Sequence, residues 1–375
     1  MSHQTYEARL KEKMKTMKWQ RLHIDPWLFL GLITLAAVGM LVLYSASNAS
    51  VIMVEKQGYR LALSFGLMLL FAQIHPKHYK QWAPFFYAIC FLLLLAVLVI
   101  GKIDMGGRRW ISLGLFRFQP SELMSLAMPV ILAWYLSEKK LPPNFSALLL
   151  SGAMILVPVL LIAKEPDLGT AIVVAAAGFF VLLLAGISWR LIGFLVAGLV
   201  ALSPVIWNFM HTYQKNRVLT FLSPERDPLG SGYHIIQSKI AIGSGGLFGK
   251  GWMHGTQSHL SFLPAHTTDF IFAVCGEELG LIGCIGILVV FLLIFTRCLY
   301  ISLQAQDNFT RLLSGSLALT FIISAFINLG MVVGILPVVG VPLPLISYGG
   351  SSMTILMINF GIMMSIHSHR RLWSS

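Results

Sequence analysis

Charge is scarce in this chain. Only 11% of its 375 residues are charged, and acidic side chains number just 15; soluble domains carry about 25% charged residues. With 57% of residues hydrophobic and a mean hydropathy of +0.78, a soluble globular domain is excluded. The apolar runs also lack period-two alternation, which excludes a membrane β-barrel. Cysteine is limited to Cys90, Cys275, Cys284 and Cys298. Their spacing suits neither a zinc site nor a disulfide framework, so they read as packing residues. A signal peptide is not expected, because the basic stretch before the first apolar run is too long and no small-residue cleavage site follows it. No internal repeat is visible, which argues against a transporter built from inverted halves.

What the chain has instead is a series of apolar runs near 20 residues, each long enough to cross a hydrocarbon core of about 30 Å as a helix. Ten spans are expected, at 27–46, 58–74, 82–100, 119–136, 145–163, 168–186, 189–209, 269–296, 311–335 and 350–367. The fold class is therefore an all-α polytopic membrane protein. Residues 1–26 form a basic cytoplasmic segment, 27–369 a single transmembrane domain with an outer loop at 210–268, and 370–375 a cytoplasmic tail. Arg9, Lys11, Lys13, Lys15, Lys18 and Arg21 precede the first span, and most short links on the same side are rich in Lys and Arg. Positive charge marks the cytoplasmic side, so both termini are placed there. The net charge of +12 follows from this topology and does not require nucleic acid.

The opposite face holds the irregular sequence: GKIDMGGRRWISLGLFRF at 101–118, KEPD at 164–167, about 60 residues after the seventh span, and PVVGVPLPLISYGG at 337–350. Long connections without regular structure are uncommon unless they have a function, so the work is expected at the outer surface. Within the long loop, Tyr233 to Ile242 has helical apolar spacing and suits an amphipathic helix in the interface. The glycine-dense segment Gly243 to Gly255 suits either a tight turn or a phosphate-cradling nest.

Carboxylates at membrane depth cost roughly 2.5–3.5 kcal/mol each on insertion scales, so their positions are informative. Asp269 stands at the entrance of the eighth span, with Glu277 and Glu278 about two turns deeper. On one continuous helix, Asp269 and Glu278 would point to opposite sides, so Asp269 is the candidate catalyst and the two glutamates are candidate supports. Glu122 and Asp167 could each cap or stabilise a helix start, or face an outward cavity. Arg108, Arg109, Lys215, Arg217, Lys239 and Lys250 bring cations to the same face. A carboxylate among such cations suits general-base work on a sugar hydroxyl with a phosphate as leaving group. Gln237 and Ser347 complete the candidate substrate contacts.

Six ordered motifs then carry a resemblance: GGRRWISLG at 106–114, FQPSE at 118–122, EPDLGTA at 165–171, DPLGSGYHIIQSKIAIGSGGLFGKGWMHGTQS at 227–258, TDFIFAVCGEELGLIG at 268–283, and GILPVVGVPLPLISYGGSS at 334–352. From about Trp27 to His369 the chain resembles the SEDS family of bacterial peptidoglycan polymerases, and its elongation branch rather than its division branch. The resemblance implies ten transmembrane helices and an inverting glycosyltransferase at the outer face. Lipid II, a disaccharide-pentapeptide on undecaprenyl pyrophosphate, would be the substrate. It implies Asp269 as general base and Glu122, Asp167 and the arginines of GGRRW in the outward cavity. A divalent cation (Mg or Mn) assisting the pyrophosphate, a class B penicillin-binding protein and other elongation-complex membrane proteins are the implied partners. The chain departs from the family pattern at three places. Ser125 stands where many members have lysine, His266 is displaced by one position, and Glu165 replaces a frequent glutamine. Two alternatives from other classes are a lipid II flippase or exporter and a non-catalytic activator of the penicillin-binding protein. A flippase needs polar residues through the membrane depth, whereas here they gather at the outer mouth.

Overall fold

The computed structural model describes residues 23–370, apart from 105–106, 114–115, 211, 224, 226–230 and 260–264. The basic N-terminal segment and the end of the tail lie outside these residues. The order begins with α1 (Pro26–Ala46), α2 (Val51–Gln73) and α3 (Pro76–Ile100). Strands β1 (Lys102–Asp104), β2 (Gly107–Leu113) and β3 (Phe116–Phe118) follow, then α4 (Pro120–Ser137), α5 (Phe145–Lys164), α6 (Leu168–Leu184) and α7 (Trp189–Phe209). The long loop contains α8 (Thr212–Leu222), α9 (Ser231–Ser244) and the short α10 (Thr256–His259). The chain closes with α11 (Ile271–Leu303), α12 (Asn308–Val333) and α13 (Ser351–Ser368).

Local chemistry explains where these helices start. The side chains of Asp25, Asn144, Asp167 and Asp307 accept hydrogen bonds from the backbone N–H groups of Leu28, Ala147, Thr170 and Thr310, satisfying donors that have no partner within the helix. Prolines open α1, α3 and α4, where a missing N–H costs nothing. Among the described residues, α1, α3, α5, α11 and α12 are long and apolar enough to cross a membrane, so the chain is a multi-pass membrane protein. The core is helix on helix: α2 packs along α13, α11 along α12 and α1, α3 along α4, and α6 against α4, α5 and α12. Helix α7 carries mostly exposed apolar side chains and stands away from these pairs. All four cysteines are buried and free.

Three features differ from the expectation or sharpen it. The segment after α3 is not irregular but a three-stranded antiparallel sheet, with Lys102 opposite Trp110 and Ile111 opposite Phe118. The all-α description therefore needs this one β element. The amphipathic segment is helical, as expected, and α9 packs on α11 and α12. Last, α11 is broken at Gly280 (φ 66°, ψ −166°), a conformation that excludes ordinary L residues. The glycine-rich segment fills this break. Lys250 and Gly251 donate their backbone N–H to the carbonyls of Glu277 and Glu278, and Leu281 and Ile282 donate to Gly246 and Leu247. The segment is thus a tight turn locked to α11, with these amides committed rather than free to cradle phosphate.

Candidate active site

A cavity of about 460 Å³ opens among α4, α6, α12 and α13, β2 and the loop 334–350. Five of the candidate residues line it: Arg109, Glu122, Asp167, Asp269 and Ser347. They come from five segments spread over more than 230 positions of sequence. Gln237 and Lys239 do not line it. The Lys239 side chain instead crosses beside Gly334, at the left-handed C-cap of α12, and the adjacent Ser238 hydroxyl donates to the carbonyl of Val332 at 2.6 Å. These residues secure α9 to α12. The side chain of Arg108 lies outside the described residues.

Asp269 is not the first residue of the eighth long helix. It sits in a turn in which Thr268 and Phe270 both donate to the carbonyl of Ala265, and α11 starts only at Ile271. The helical arithmetic that related it to Glu277 and Glu278 therefore does not apply. The turn is fixed from the opposite side by the loop 334–350. Ser347 Oγ donates to the carbonyl of Thr268 at 2.6 Å and accepts from the N–H of Leu343 at 2.8 Å. Tyr348 N–H donates to the carbonyl of Thr267 at 2.9 Å. Asn328 on α12 donates to the carbonyls of Asp269 (2.9 Å) and Val341 (2.8 Å). Close approach of that loop to α6 requires Gly169, where a Cβ would lie 2.6 Å from the carbonyl oxygen of Val339. Burial raises the pKa of the Asp269 carboxyl above its usual range, and the positive charge of Arg217 on α8 opposes part of that rise. The result is a carboxylate more basic than a solvated aspartate.

The second wall carries the acidic and basic groups of the KEPD turn. Asp167 caps α6 through Oδ1 and faces the cavity as well, so its two readings are compatible. Its Oδ2 accepts from the Gln119 carboxamide and, at 3.5 Å, from the Ser121 hydroxyl. Arg109 Nε donates to the carbonyl of Glu165 at 3.1 Å and Nη2 to that of Pro166, which ties β2 to the turn. Glu165 is 1% exposed, and neither of its carboxyl oxygens has a hydrogen-bond partner among the described residues. Burial, with the negative charge of Asp167 adding to it and Arg109 opposing, raises its pKa to about 8. Glu122 lies in the first turn of α4 and meets the hydroxyl of Ser351, the first residue of α13. Ser125 does not take the place of the family lysine as its partner, because its hydroxyl donates to the backbone carbonyl of Glu122 at 2.6 Å.

The two deeper glutamates do not line the cavity and bind separate partners. Glu277 is fully buried and accepts from Lys250 Nζ (2.7 Å), the N–H and hydroxyl of Thr256, and the N–H of Gln257. Glu278 accepts from Ser45 Oγ on α1 at 2.5 Å. Together they hold the long loop and α1 to the broken helix. Asn328, Gln119 and Tyr348 had not been singled out in the sequence. A lone carboxamide within the apolar run of α12 was the one available signal for Asn328. Among the described residues no group of three His, Cys, Asp or Glu side chains is placed to hold a metal ion.

The arrangement offers a basic carboxylate on a braced turn, two further acids and an arginine across a cavity whose lining also includes the apolar stretch Val341 to Leu345. That suits proton abstraction from a hydroxyl at one end and a charged leaving group in the same space. Comparison with known proteins places the chain as a whole. The chain is 50% identical over 357 residues to the peptidoglycan glycosyltransferase MrdB of Escherichia coli K12, covering 95% of this chain and 96% of that one. It is 34% identical over 364 residues to stage V sporulation protein E of Bacillus subtilis, covering 92% and 98%. Among solved structures, a chain of a peptidoglycan synthase complex that coordinates polymerization and crosslinking superposes with a TM-score of 0.80 at 32% identity, over 92% of this chain and 99% of that one. The rod shape determining protein RodA of Thermus thermophilus gives 0.70 at 29% identity, over 92% and 96%. The family model of FtsW, RodA and SpoVE, described as cell cycle proteins, matches residues 20–372. The chain belongs to this FtsW/RodA/SpoVE family of cell cycle proteins.

Proposed function

We propose that the chain is a peptidoglycan glycosyltransferase that polymerises lipid II into glycan strands at the outer face of the bacterial cytoplasmic membrane during cell elongation. The observation that carries this reading is the convergence of Asp269, Asp167, Glu122 and Arg109 on one cavity. Identity of 50% with a peptidoglycan glycosyltransferase over nearly the whole chain supports it. The ten helices α1 to α7 and α11 to α13 would be the spans of a single transmembrane domain, with both termini cytoplasmic and the loop at 210–268 outside.

The placement of the acids supports the reaction that the family resemblance implies. The Asp269 carboxylate takes the proton of the acceptor sugar's 4-hydroxyl. That oxygen attacks the anomeric carbon of the donor, the bond to the pyrophosphate breaks, and undecaprenyl pyrophosphate leaves with inversion. The braced turn holds the base in one position, so little reorganisation is needed at the moment of reaction. Arg109 supplies positive charge near the leaving group, although Nε and Nη2 already hold the KEPD turn. A divalent cation would draw most of its ligands from the pyrophosphate, since the described protein donors form no cluster of three. A class B penicillin-binding protein is the expected partner, by analogy with the peptidoglycan synthase complex that the chain superposes on.

Purified protein given lipid II, with the partner in a transpeptidase-dead form, tests this reading. Glycan strands are expected from the parent chain and essentially none from Asp269→Asn. Full polymerisation by that variant would overturn the general-base role. Normal glycan synthesis by the purified Asp269→Asn variant, with its lipid II flipping abolished, would favour transport instead.

A further inference from the structure

The cavity is short of positive charge for the substrate proposed above. Three carboxylates line it, and Arg109 is the single lysine or arginine among its described lining residues. Arg109 has two of its three guanidinium nitrogens bound to backbone carbonyls. Arg217 lies near enough to Asp269 to act on its charge but is not part of the lining. A diphosphate brought into this space faces net negative charge, which is costly where water is excluded.

One cation stands directly behind the lining. Arg60 is the tenth residue of α2, and its guanidinium lies 4.7 Å from the ring centroid of Tyr348, a lining residue. It also lies beside Gly350, where an added Cβ would be 3.6 Å from Arg60 Nε. Between the guanidinium and the cavity there is thus one aromatic ring and a Gly349-Gly350 backbone without side chains. Arg60 is half-buried and makes no hydrogen bond or ion pair with any described residue. Lys56 is one turn earlier on the same face of α2 and is exposed. An arginine that is stacked and has no N–H donor committed to a described residue is set up to receive an oxyanion, which a guanidinium can bind with two parallel hydrogen bonds.

We infer that Arg60, backed by Tyr348, is a binding residue for the phosphate groups of a lipid-linked substrate, reached from the membrane side of the cavity between α2 and the loop before α13. The inference rests on the glycosyltransferase reading and adds a residue and an approach route to it. The Ser125 position leaves the cavity without a lysine on α4, and Arg60 brings a cation from α2 instead. The same phosphate chemistry could come from an ordinary anionic phospholipid, so the test separates the two sources.

The experiment uses the full chain in nanodiscs with its partner, and reads KM and kcat for lipid II polymerisation. It also reads inhibition by a polyprenyl diphosphate and by the uncharged polyprenol. For Arg60→Gln the expected result is a rise in KM of about tenfold, the scale of one lost charge-assisted contact, with kcat little changed. The diphosphate should lose inhibitory strength by a similar factor and the polyprenol should not. Arg60→Lys keeps the charge but loses the bidentate fork, so it should recover part of the affinity. An unchanged KM overturns the inference, as does equal weakening of diphosphate and polyprenol. If replacing phosphatidylglycerol by phosphatidylcholine in the disc shifts the parent's KM while Arg60→Gln leaves diphosphate inhibition intact, the site serves phospholipid and the inference also fails. Diphosphate binding can be read in the Asp269→Asn background. An Arg60 effect there, with polymerisation intact in Asp269→Asn, would sink the catalytic assignment but keep the binding one.

Discussion

Asn328 Nδ2 donates a 2.9 Å hydrogen bond to the backbone carbonyl of Asp269. The side chain is completely buried, and its second amide proton goes to Val341 at 2.8 Å. One carboxamide therefore ties the Asp269 turn and the loop 334–350 to the same point on α12. Asn328→Leu keeps the approximate volume but leaves two carbonyls without a donor, at about 1–3 kcal/mol each. We expect a lower melting temperature and a kcat reduced about 10- to 100-fold, because a displacement near 1 Å is enough for such a loss. Unaltered kcat in a folded Asn328→Leu protein would show that the turn holds itself.

Asp269 should set the acid limb of the pH–rate profile. Its pKa is raised by burial and partly restrained by Arg217. A general base works when deprotonated, so activity should fall as pH drops through this raised pKa. Arg217→Gln removes the restraint, and the acid limb should then move to higher pH with the plateau largely kept. A limb that stays in place would separate Arg217 from the catalytic carboxyl.

Glu165 makes the opposite kind of prediction, one about stability. Its pKa rises from 4.5 to about 8 on folding. Between those values the folded chain keeps a proton that the unfolded chain releases, so stability falls as pH rises through the window and levels off above it. Glu165→Gln removes this dependence. The variant should melt higher than the parent near pH 9, with the gain shrinking toward pH 5. A pH-independent gain would point to packing instead.

At the far end of α1, Asp25 accepts from Arg297 Nε (3.1 and 3.2 Å) and Nη2 (2.5 Å), and His367 lies at 3.3 Å. Burial alone would raise the Asp25 pKa, but the Arg297 hydrogen bonds, the Leu28 N–H and the charges of Arg297 and His367 together outweigh it and the net shift is downward. Arg297→Met should cost about 3–5 kcal/mol, since it leaves a buried carboxylate unpaired. Asp25→Asn combined with Arg297→Met should recover much of that loss in a thermal melt. Additive losses in the double variant would mean that the two residues act separately.

The membrane character and nearly all the long helices were legible in the sequence, because apolar runs of about 20 residues have one main solution in a bilayer. The caps at Asp167 and the prolines at helix starts were legible for a similar reason, since they depend on neighbours within four residues. The β-sheet at 102–118 was missed because its strands are short and carry no sustained alternation. Asp269 was picked out by its position at a span entrance. Its true setting was not visible, because the turn that holds it is closed by Ser347, Tyr348 and Asn328, some 60 to 80 residues away. The same holds for Lys239 and Gln237. Their polarity and outer-face position suggested substrate contact, while packing of α9 on α12 places them elsewhere. The sequence by itself thus determined what could enter the membrane and which charges were costly enough to need a reason. The family resemblance grouped Glu122, Asp167 and the arginines of GGRRW in one cavity, but only the tertiary structure decided how each is held and left Gln237 and Lys239 out of the lining, because that depends on contacts between segments whose separation along the chain encodes nothing about their distance in space.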